Sequence, residues 1–210
     1  MRIDVFHDTA CPWCRVGKAN LKRALAQWDG DPVTVEYHTF FLNADIPAEG
    51  YDFRAYMTAK GGGQVPLEQW FAAPREAGRR AGITFNFETI TRAPNTLLSH
   101  RLIALTPEPH REAMIDALYA AYFEHGRDIG DLDVLVETAV AVGLEGEDIR
   151  QQLLSDAKEA EVLGEAEQAH RLGITGVPFF VFNNTYAFSG AQPPEIFLRA
   201  MRQAAEFQRS

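Results

Sequence analysis

The chain has 210 residues, of which 46% are hydrophobic and 23% charged, so it can bury a substantial core and is not disordered. Its formal net charge of -9 argues against a nucleic-acid-binding protein, because phosphate contacts need clustered Lys and Arg side chains. It contains neither an apolar leader segment nor a run of roughly 18 uncharged apolar residues, so we expect a cytoplasmic protein without a membrane partner.

The first predicted elements form a β-α-β unit. Residues 2–7 alternate as a strand does, residues 14–27 are helix-like, and residues 33–40 are a β-branched, alternating run that follows the turn at 29–32. Such a unit places its two strands in parallel, with ligand sites at their carboxyl ends. Cys11 follows the first strand closely and is therefore expected at that end.

The middle of the chain is predicted to be helical. The pattern weakens over residues 41–64, where the run Gly61-Gly62-Gly63 indicates a mobile connection. A phosphate-binding loop is disfavoured there, because no strand precedes the glycines and no Lys-Ser or Lys-Thr follows them. One short strand is predicted at residues 84–87. Helices are predicted from 94–96 to the residue before Pro107, and at 112–124, 132–142 with Asp131 as N-cap, 146–154 and 157–172.

The chain then returns to strands. Residues 178–182 and 185–189 are predicted to form a hairpin around Asn183-Asn184, and a last helix is predicted at 193–207. Neither end of the chain can complete a sheet alone. We therefore expect an α/β protein in which residues 1–64 and 156–210 form one domain, interrupted by an all-helical domain at 65–155.

The two cysteines of the chain, Cys11 and Cys14, are separated by Pro12-Trp13. A strand, a short loop and a helix in this order place Cys11 at a helix N-terminus, where unpaired backbone N–H groups stabilise a thiolate. Pro12 suits the first helical turn, where its missing N–H costs nothing. Cys14 lies one turn further on, close enough to close a disulfide ring. The pair therefore predicts redox chemistry.

Other interpretations of the pair have less support. A structural zinc site needs four ligands, and the chain has no second cysteine pair and no histidine pair with suitable spacing. A structural disulfide would close too small a loop to constrain the unfolded chain, and a reducing cytosol would oppose it. Two buried, unreactive thiols remain as the simplest alternative. We expect no bound metal; His38, His100, His110, His125 and His170 are interpreted as solvated or hydrogen-bonded.

Several polar residues are weaker candidates near the cysteines. His7 ends the first strand, where a protonated imidazole would favour the Cys11 thiolate and tune its pKa; a strand-end hydrogen bond is the simpler role. Asp8 would oppose the thiolate. Arg15 and Lys18 are expected on a solvated helix surface.

Five separated motifs resemble the DsbA-like thioredoxin-fold oxidoreductases, and within them the cytoplasmic FrnE-like branch. The resemblance covers nearly the whole chain and rests on motifs at residues 8–14, 41–43, 94–102, 173–180 and 189–192, which read DTACPWC, FLN, PNT with SHRL, GITGVPFF and SGAQ. It implies a thioredoxin fold interrupted by an inserted helical domain, a redox-active Cys-x-x-Cys centre and a thiol-disulfide oxidoreductase or disulfide isomerase.

The resemblance also implies a second part of the site. A cis peptide bond is expected between Val177 and Pro178, which would let Val177 offer its backbone N–H and C=O to an extended substrate. Pro12 and Trp13 are expected to contact the substrate as well, with Trp13 presenting an aromatic edge or packing against the inserted domain. The expected reaction passes through a mixed disulfide at Cys11, with Cys14 as leaving group or resolving thiol. The substrate would be a peptide, protein or small molecule that carries a thiol or disulfide.

Two further classes of function stay open. The architecture is similar to kappa-class glutathione transferases and 2-hydroxychromene-2-carboxylate isomerases, in which a serine stands at the place of Cys11; a second cysteine has no use in that chemistry. No cofactor is expected beyond the redox disulfide, with glutathione as a candidate substrate or reductant. A peptide-binding holdase is the non-enzymatic alternative. The residues leave the oligomeric state open, with a homodimer as one candidate.

Overall fold

The structure is a computed structural model that describes residues 1–63 and 66–207. The strands in this range are β1 (Arg2–His7), β2 (Thr34–Thr39), β3 (Tyr51–Asp52), β4 (Arg92–Ala93), β5 (Phe179–Phe182) and β6 (Tyr186–Ser189). The α-helices are α1 (Pro12–Leu25), α2 (Phe53–Lys60), α3 (Leu67–Ala81), α4 (Leu97–Leu105), α5 (Glu108–Phe123), α6 (Leu132–Ala141), α7 (Gly146–Leu154), α8 (Glu159–Arg171) and α9 (Pro194–Phe207).

The chain divides into two compact units, and the first is built from both ends of the chain. The first unit comprises residues 1–42 and 165–210, and the second comprises residues 43–164. The interruption predicted from the sequence is therefore present, although the second unit is longer in both directions than the predicted 65–155. The predicted boundary between residues 64 and 65 lies outside the described residues.

A four-stranded sheet in the order β2-β1-β5-β6 organises the first unit. β1 pairs in parallel with β2 and antiparallel with β5, so the start of β5 lies beside the end of β1. The β5–β6 hairpin turns at Asn183 and Asn184, whose φ values of 48° and 56° are the left-handed pair that a two-residue hairpin needs. This confirms the predicted β-α-β unit and hairpin.

The core of the first unit lies between one face of this sheet and two helices. α1 and α9 contact each other on that face, because each carries an apolar stripe at helical spacing. The fully buried side chains include Ile3, Val5, Leu21, Phe180, Phe182, Phe197 and Met201. A smaller cluster contains Phe6, Phe40, Ala169 and Ile174. The helix α1, which begins at the cysteine pair, is thus held in place by a core whose residues come from both ends of the chain.

The second unit is helical apart from the two-residue strands β3 and β4, which pair with each other. Aromatic rings fill much of its interior; the rings of Phe53, Phe71, Phe87, Phe85 and Phe123 form a chain of ring contacts. The buried Arg101 guanidinium donates to the backbone carbonyls of Gln152, Ser155 and Ala157, and so ties α4 to the end of α7 and the segment that follows it. Strands of two residues are too short to show alternation in a sequence.

Two sequence predictions in this unit are wrong. Residues 84–87 do not form a strand; Phe85 and Phe87 are buried, but the Asn86 N–H donates to the carbonyl of Phe123 at 2.8 Å, at a helix end. Helix α2, capped by the Asp52 carboxylate at the N–H of Ala55, lies within the segment predicted as a connection. The glycine run ends this helix, with Gly62 and Gly63 at positive φ.

None of the helices in the described part of the chain has both the length and the apolar character that crossing a bilayer would require.

Candidate active site

Cys11 caps the N-terminus of α1, as the sequence predicts. Its sulfur accepts a hydrogen bond from the backbone N–H of Cys14 at 3.3 Å, and Pro12 occupies the first turn of the helix. The N–H groups of the first helical turn have no intrahelical acceptor, so a sulfur at this cap receives both a hydrogen bond and the positive end of the helix dipole. A helix N-terminus favours negative charge, and the thiolate is the form of a cysteine that attacks disulfides.

Cys14 lies one turn into the same helix. Both cysteines are buried free thiols, with 2% of Cys11 and 1% of Cys14 exposed. Burial raises the pKa of the Cys14 thiol well above its ordinary value, and the hydrogen bond and charge of Cys11 act in the same direction. A backbone hydrogen bond from Asp8 opposes this shift, whereas the charge of Asp8 adds to it. The two sulfurs thus occupy different positions, one at the helix cap and one inside the first turn.

Val177 and Pro178 lie beside the cysteines, because the start of β5 is next to the end of β1. The peptide bond between them is cis. The Cys11 thiol donates toward the carbonyl oxygen of Val177 over 3.7 Å, and Pro178 is buried. The carbonyl of Pro178 accepts from the N–H of Gly190 at 2.8 Å, which ties this loop to the segment after β6. The motif that contains Cys11 and the motif that contains Val177 and Pro178, far apart in the sequence, therefore meet at the Cys11 sulfur.

The loop before Cys11 is held by the buried carboxylate of Asp8. Its two oxygens accept hydrogen bonds from the backbone N–H groups of Leu42, at 2.7 Å, and Ala10, at 3.2 Å. The N–H of Cys11 donates to the Asp8 carbonyl at 3.1 Å. Asp8 therefore positions the Cys11 loop against the segment after β2, and this gives the 41–43 motif a structural role.

The other predicted residues are divided between the surface and the interior. Trp13 is 38% exposed on the first turn of α1, so its ring is available for contact, and Pro12 is partly buried. His7 is buried at the end of β1 and packs edge-on against the ring of Tyr37, with 5.5 Å between ring centroids. Its part in tuning the Cys11 pKa stays a prediction.

The prediction that Lys18 lies on a solvated helix surface is wrong. Only 4% of the residue is exposed, and its ammonium lies 5.7 Å from the centroid of the Tyr37 ring. The spacing contains the reason: Cys14, Lys18 and Leu21 follow at intervals of four and three, so they share the buried face of α1. The same spacing was the signal that would have identified Lys18 from the sequence.

Comparisons with known proteins agree with this geometry. The family model for the DSBA-like thioredoxin domain matches residues 2–202. The crystal structure of a probable DsbA oxidoreductase from Streptomyces coelicolor is similar at 36% identity and a TM-score of 0.90, over 98% of this chain and 90% of that one. Because it extends over 98% of this chain, this likeness includes both units.

Two more distant structures share the fold. A 2-hydroxychromene-2-carboxylate isomerase is 14% identical with a TM-score of 0.74, over 100% of this chain and 98% of that one. The cytosolic disulfide reductase DsbM from Pseudomonas aeruginosa, solved with GSH, is 17% identical with a TM-score of 0.65, over 100% and 98% of the two chains. The family match, the 36% identical relative and the capped cysteine pair together show that this chain belongs to the DsbA-like thioredoxin-domain family of oxidoreductases.

Proposed function

We propose that this protein catalyses thiol-disulfide exchange through Cys11 and Cys14, with Cys11 as the sulfur that bonds to the substrate. The observation that carries the proposal is the unequal environment of the two sulfurs. Both sulfurs are buried, but Cys11 accepts the N–H of Cys14 at the helix N-terminus, whereas Cys14 lies inside the first turn and its pKa is raised. A thiolate at the helix end can act as the nucleophile. A neighbouring thiol that is still protonated can attack the resulting mixed disulfide in a second step.

In the reducing direction, the Cys11 thiolate attacks one sulfur of a substrate disulfide, and the other sulfur leaves as a thiolate. Cys14 then loses its proton and attacks Cys11, which releases the second substrate thiol and leaves a Cys11–Cys14 disulfide. A thiol such as glutathione must reduce that disulfide to complete the cycle. The oxidising direction is the same sequence in reverse, in which a substrate dithiol gives up its two electrons to the Cys11–Cys14 disulfide.

The substrate is proposed to carry its thiol or disulfide on an extended peptide or a small molecule. Val177 supports this, since its carbonyl lies 3.7 Å from the Cys11 sulfur and would receive a backbone N–H of an extended segment beside the reacting sulfur. The exposed ring of Trp13 supplies apolar contact on the helix side. Glutathione is one small thiol that fits this description. The FrnE-like branch, the cytoplasmic location and a homodimer remain predictions.

Trapping the mixed disulfide tests the proposal. A Cys14→Ser variant, incubated with a disulfide-bonded peptide, should retain one peptide on Cys11 in its intact mass, because no second thiol can resolve it. The matched Cys11→Ser variant keeps the buried thiol and should show no adduct. An adduct on Cys11→Ser equal to that on Cys14→Ser would contradict the assigned roles.

The same variants separate the alternative functions. A glutathione transferase or isomerase that uses a serine at this position would keep turnover in Cys11→Ser, and a holdase would keep peptide binding without covalent chemistry. We expect Cys11→Ser to lose exchange activity. The reduction potential of the pair, measured in glutathione redox buffers, then sets the direction: a value above the cytosolic glutathione poise indicates an oxidase or isomerase, and a value below it a reductase.

A further inference from the structure

Three metal-ligating side chains meet on the sheet of the first unit, away from the cysteine loop in the sequence. One ligand atom from each of Asp4, Glu36 and His38 lies within 4.8 Å of the others. The Nε2 atom of His38 is 2.7 Å from the Oδ1 atom of Asp4. Carboxylate oxygens with an imidazole nitrogen form a ligand set that suits Zn²⁺ and other first-row divalent ions.

The strand register brings these residues together. Asp4 of β1 lies directly opposite Glu36 of the parallel strand β2, and Glu36 and His38 are two residues apart on one face of that strand. The cluster is therefore a property of the pairing between two strands more than thirty residues apart. No spacing along the chain reveals it, which is why the histidines gave no metal prediction from the sequence.

The Asp4 carboxylate, which belongs to this cluster, has one oxygen that accepts no hydrogen bond from the described residues. Its side chain is only 8% exposed, and its Oδ2 atom has no hydrogen-bond partner within the described part of the chain. A buried carboxylate oxygen without a donor is costly, and a bound ion or an ordered water would supply the missing partner. The other oxygen, Oδ1, is already used by His38 and Arg2.

Arg2 supplies a positive charge to the cluster that an ion would replace. Its guanidinium lies 2.5 Å from Asp4 and 3.0 Å from Glu36, and its side chain is 50% exposed. A long, half-exposed side chain can swing into solvent without disturbing the sheet. Arg2 therefore balances the two carboxylates here, and it should compete with any cation that binds them.

His38 is oriented as a metal ligand would be. Its ring stacks on Phe6 with 4.9 Å between centroids, and its Nδ1 atom lies 3.9 Å from the Glu165 carboxylate. Glu165 is itself held by the N–H and hydroxyl groups of Thr39. An outer carboxylate on one ring nitrogen, with the other nitrogen facing the ligand cluster, is the usual support for a histidine that binds a metal.

We propose that Asp4, Glu36 and His38 form a binding site for one divalent transition-metal ion, with Zn²⁺ as the best match to the ligand set. Glu165 supports His38 from outside, and Arg2 moves away when the ion binds. The Asp4 and His38 atoms must separate by less than about 1 Å to bind an ion at ~2.0–2.2 Å. The site is independent of thiol exchange, since none of its residues belongs to the cysteine loop.

Calorimetric titration with ZnCl₂ tests the site in protein whose Cys11–Cys14 pair is oxidised, so that no thiolate can bind the ion. We expect one ion per chain. His38→Gln and Glu36→Gln should each weaken binding, His38→Gln by about 100-fold or more. Arg2→Met should strengthen binding, because it removes the competing cation. The control variant His110→Gln, at an exposed histidine of α5, should bind Zn²⁺ as the wild type does.

Three results would overturn the proposal: no Zn²⁺ binding by the oxidised wild type, equal affinity in His38→Gln and the wild type, or weaker binding in Arg2→Met. Circular dichroism checks the fold of each variant. If His38→Gln does not fold, the Zn²⁺ affinities of Glu36→Gln and Arg2→Met test the proposal, since neither residue contributes to the core. Co²⁺ spectra add an independent readout, with ligand-field bands but no thiolate charge-transfer band expected.

Discussion

At the scale of single residues, one helix places two cysteines, three positions apart, in different surroundings. Both are buried, but Cys11 lies at the cap, where its sulfur accepts the backbone N–H of Cys14, whereas Cys14 lies inside the first turn. The difference arises from the direction of the helix, because only the N-terminal end presents unused donors. The two positions support the proposed roles of Cys11 as nucleophile and Cys14 as resolving thiol.

The raised pKa of Cys14 predicts a pH dependence for the second step of exchange. Burial keeps Cys14 protonated at neutral pH, so only a small fraction is the thiolate that resolves the mixed disulfide. The rate of resolution should rise about tenfold per pH unit from neutral pH upward, until the pKa of Cys14 is reached. A mixed disulfide formed at acid pH, where Cys14 stays protonated, can be mixed in a stopped-flow instrument with buffers of higher pH, and the release of peptide gives this rate. A rate that does not change across this range would contradict the assignment.

At the scale of elements, the site depends on a close approach between α1 and β5. A Cβ atom added at Gly17 would lie 3.0 Å from the Phe180 ring and 3.1 Å from the Pro178 ring. Real Cβ atoms rarely come so close, so a glycine here lets the helix that carries the cysteines pack directly against the proline loop. A glycine inside a helix costs stability, so the close packing around Gly17 explains why glycine stands three residues after Cys14.

A pair of glycine substitutions tests this packing. Gly164→Ala, in α8 with open space around it, should stabilise the protein by about 0.5–1 kcal/mol through helix propensity alone. Gly17→Ala gains the same propensity but meets the Phe180 and Pro178 rings. We expect it to be less stable than Gly164→Ala by about 1–3 kcal/mol in urea unfolding. Equal effects at the two positions would show that the approach of α1 to β5 is not limiting.

Element predictions succeeded where local patterns were long or capped. The Asp131 carboxylate accepts from the N–H of Val134 at the start of α6, as predicted, and α7 has the predicted bounds. They failed at residues 84–87, where the alternation of Phe85 and Phe87 is typical of a strand. Both rings are buried in an aromatic cluster and the backbone between them bonds to the end of α5, so burial on alternate residues arose without a strand partner.

At the scale of the whole molecule, the first unit is discontinuous in sequence but has its own core. The buried side chains that define this core all belong to residues 1–42 and 165–210. The two segments meet near the interruption, since the N–H of Thr39 donates to the Glu165 carboxylate at 3.2 Å. A core built entirely from one unit is a property of a domain that can fold alone.

Joining residues 1–42 to 165–207 through a short Gly/Ser linker should therefore give a folded protein. We expect a mixed α/β circular dichroism spectrum and a cooperative urea transition, although a domain of about 90 residues will be marginal. Adding Phe197→Ala should remove about 3–5 kcal/mol and abolish the transition, because Phe197 is fully buried in this core. A gradual, non-cooperative change in the joined chain would show that the core needs residues 43–164.

The sequence by itself determined the α/β class, the interruption by helices and the cysteine pair at a helix N-terminus, because these follow from local signals: alternation, helical spacing, caps and turn residues within a few positions. The match to the DSBA-like thioredoxin domain over residues 2–202 confirms the family that the resemblance of the five motifs implied. Resemblance at residues 173–180 also anticipated the proline loop beside Cys11.

Only the tertiary structure decided what depends on contacts between distant segments. The burial of Lys18 beside Tyr37, the hold of Asp8 on Leu42, and the cluster of Asp4, Glu36 and His38 each join elements from separate parts of the chain. The physical reason is that strand register and helix packing bring such residues together through the shared core. A linear pattern records which face of its own element a side chain occupies, but not the partner that the neighbouring element supplies.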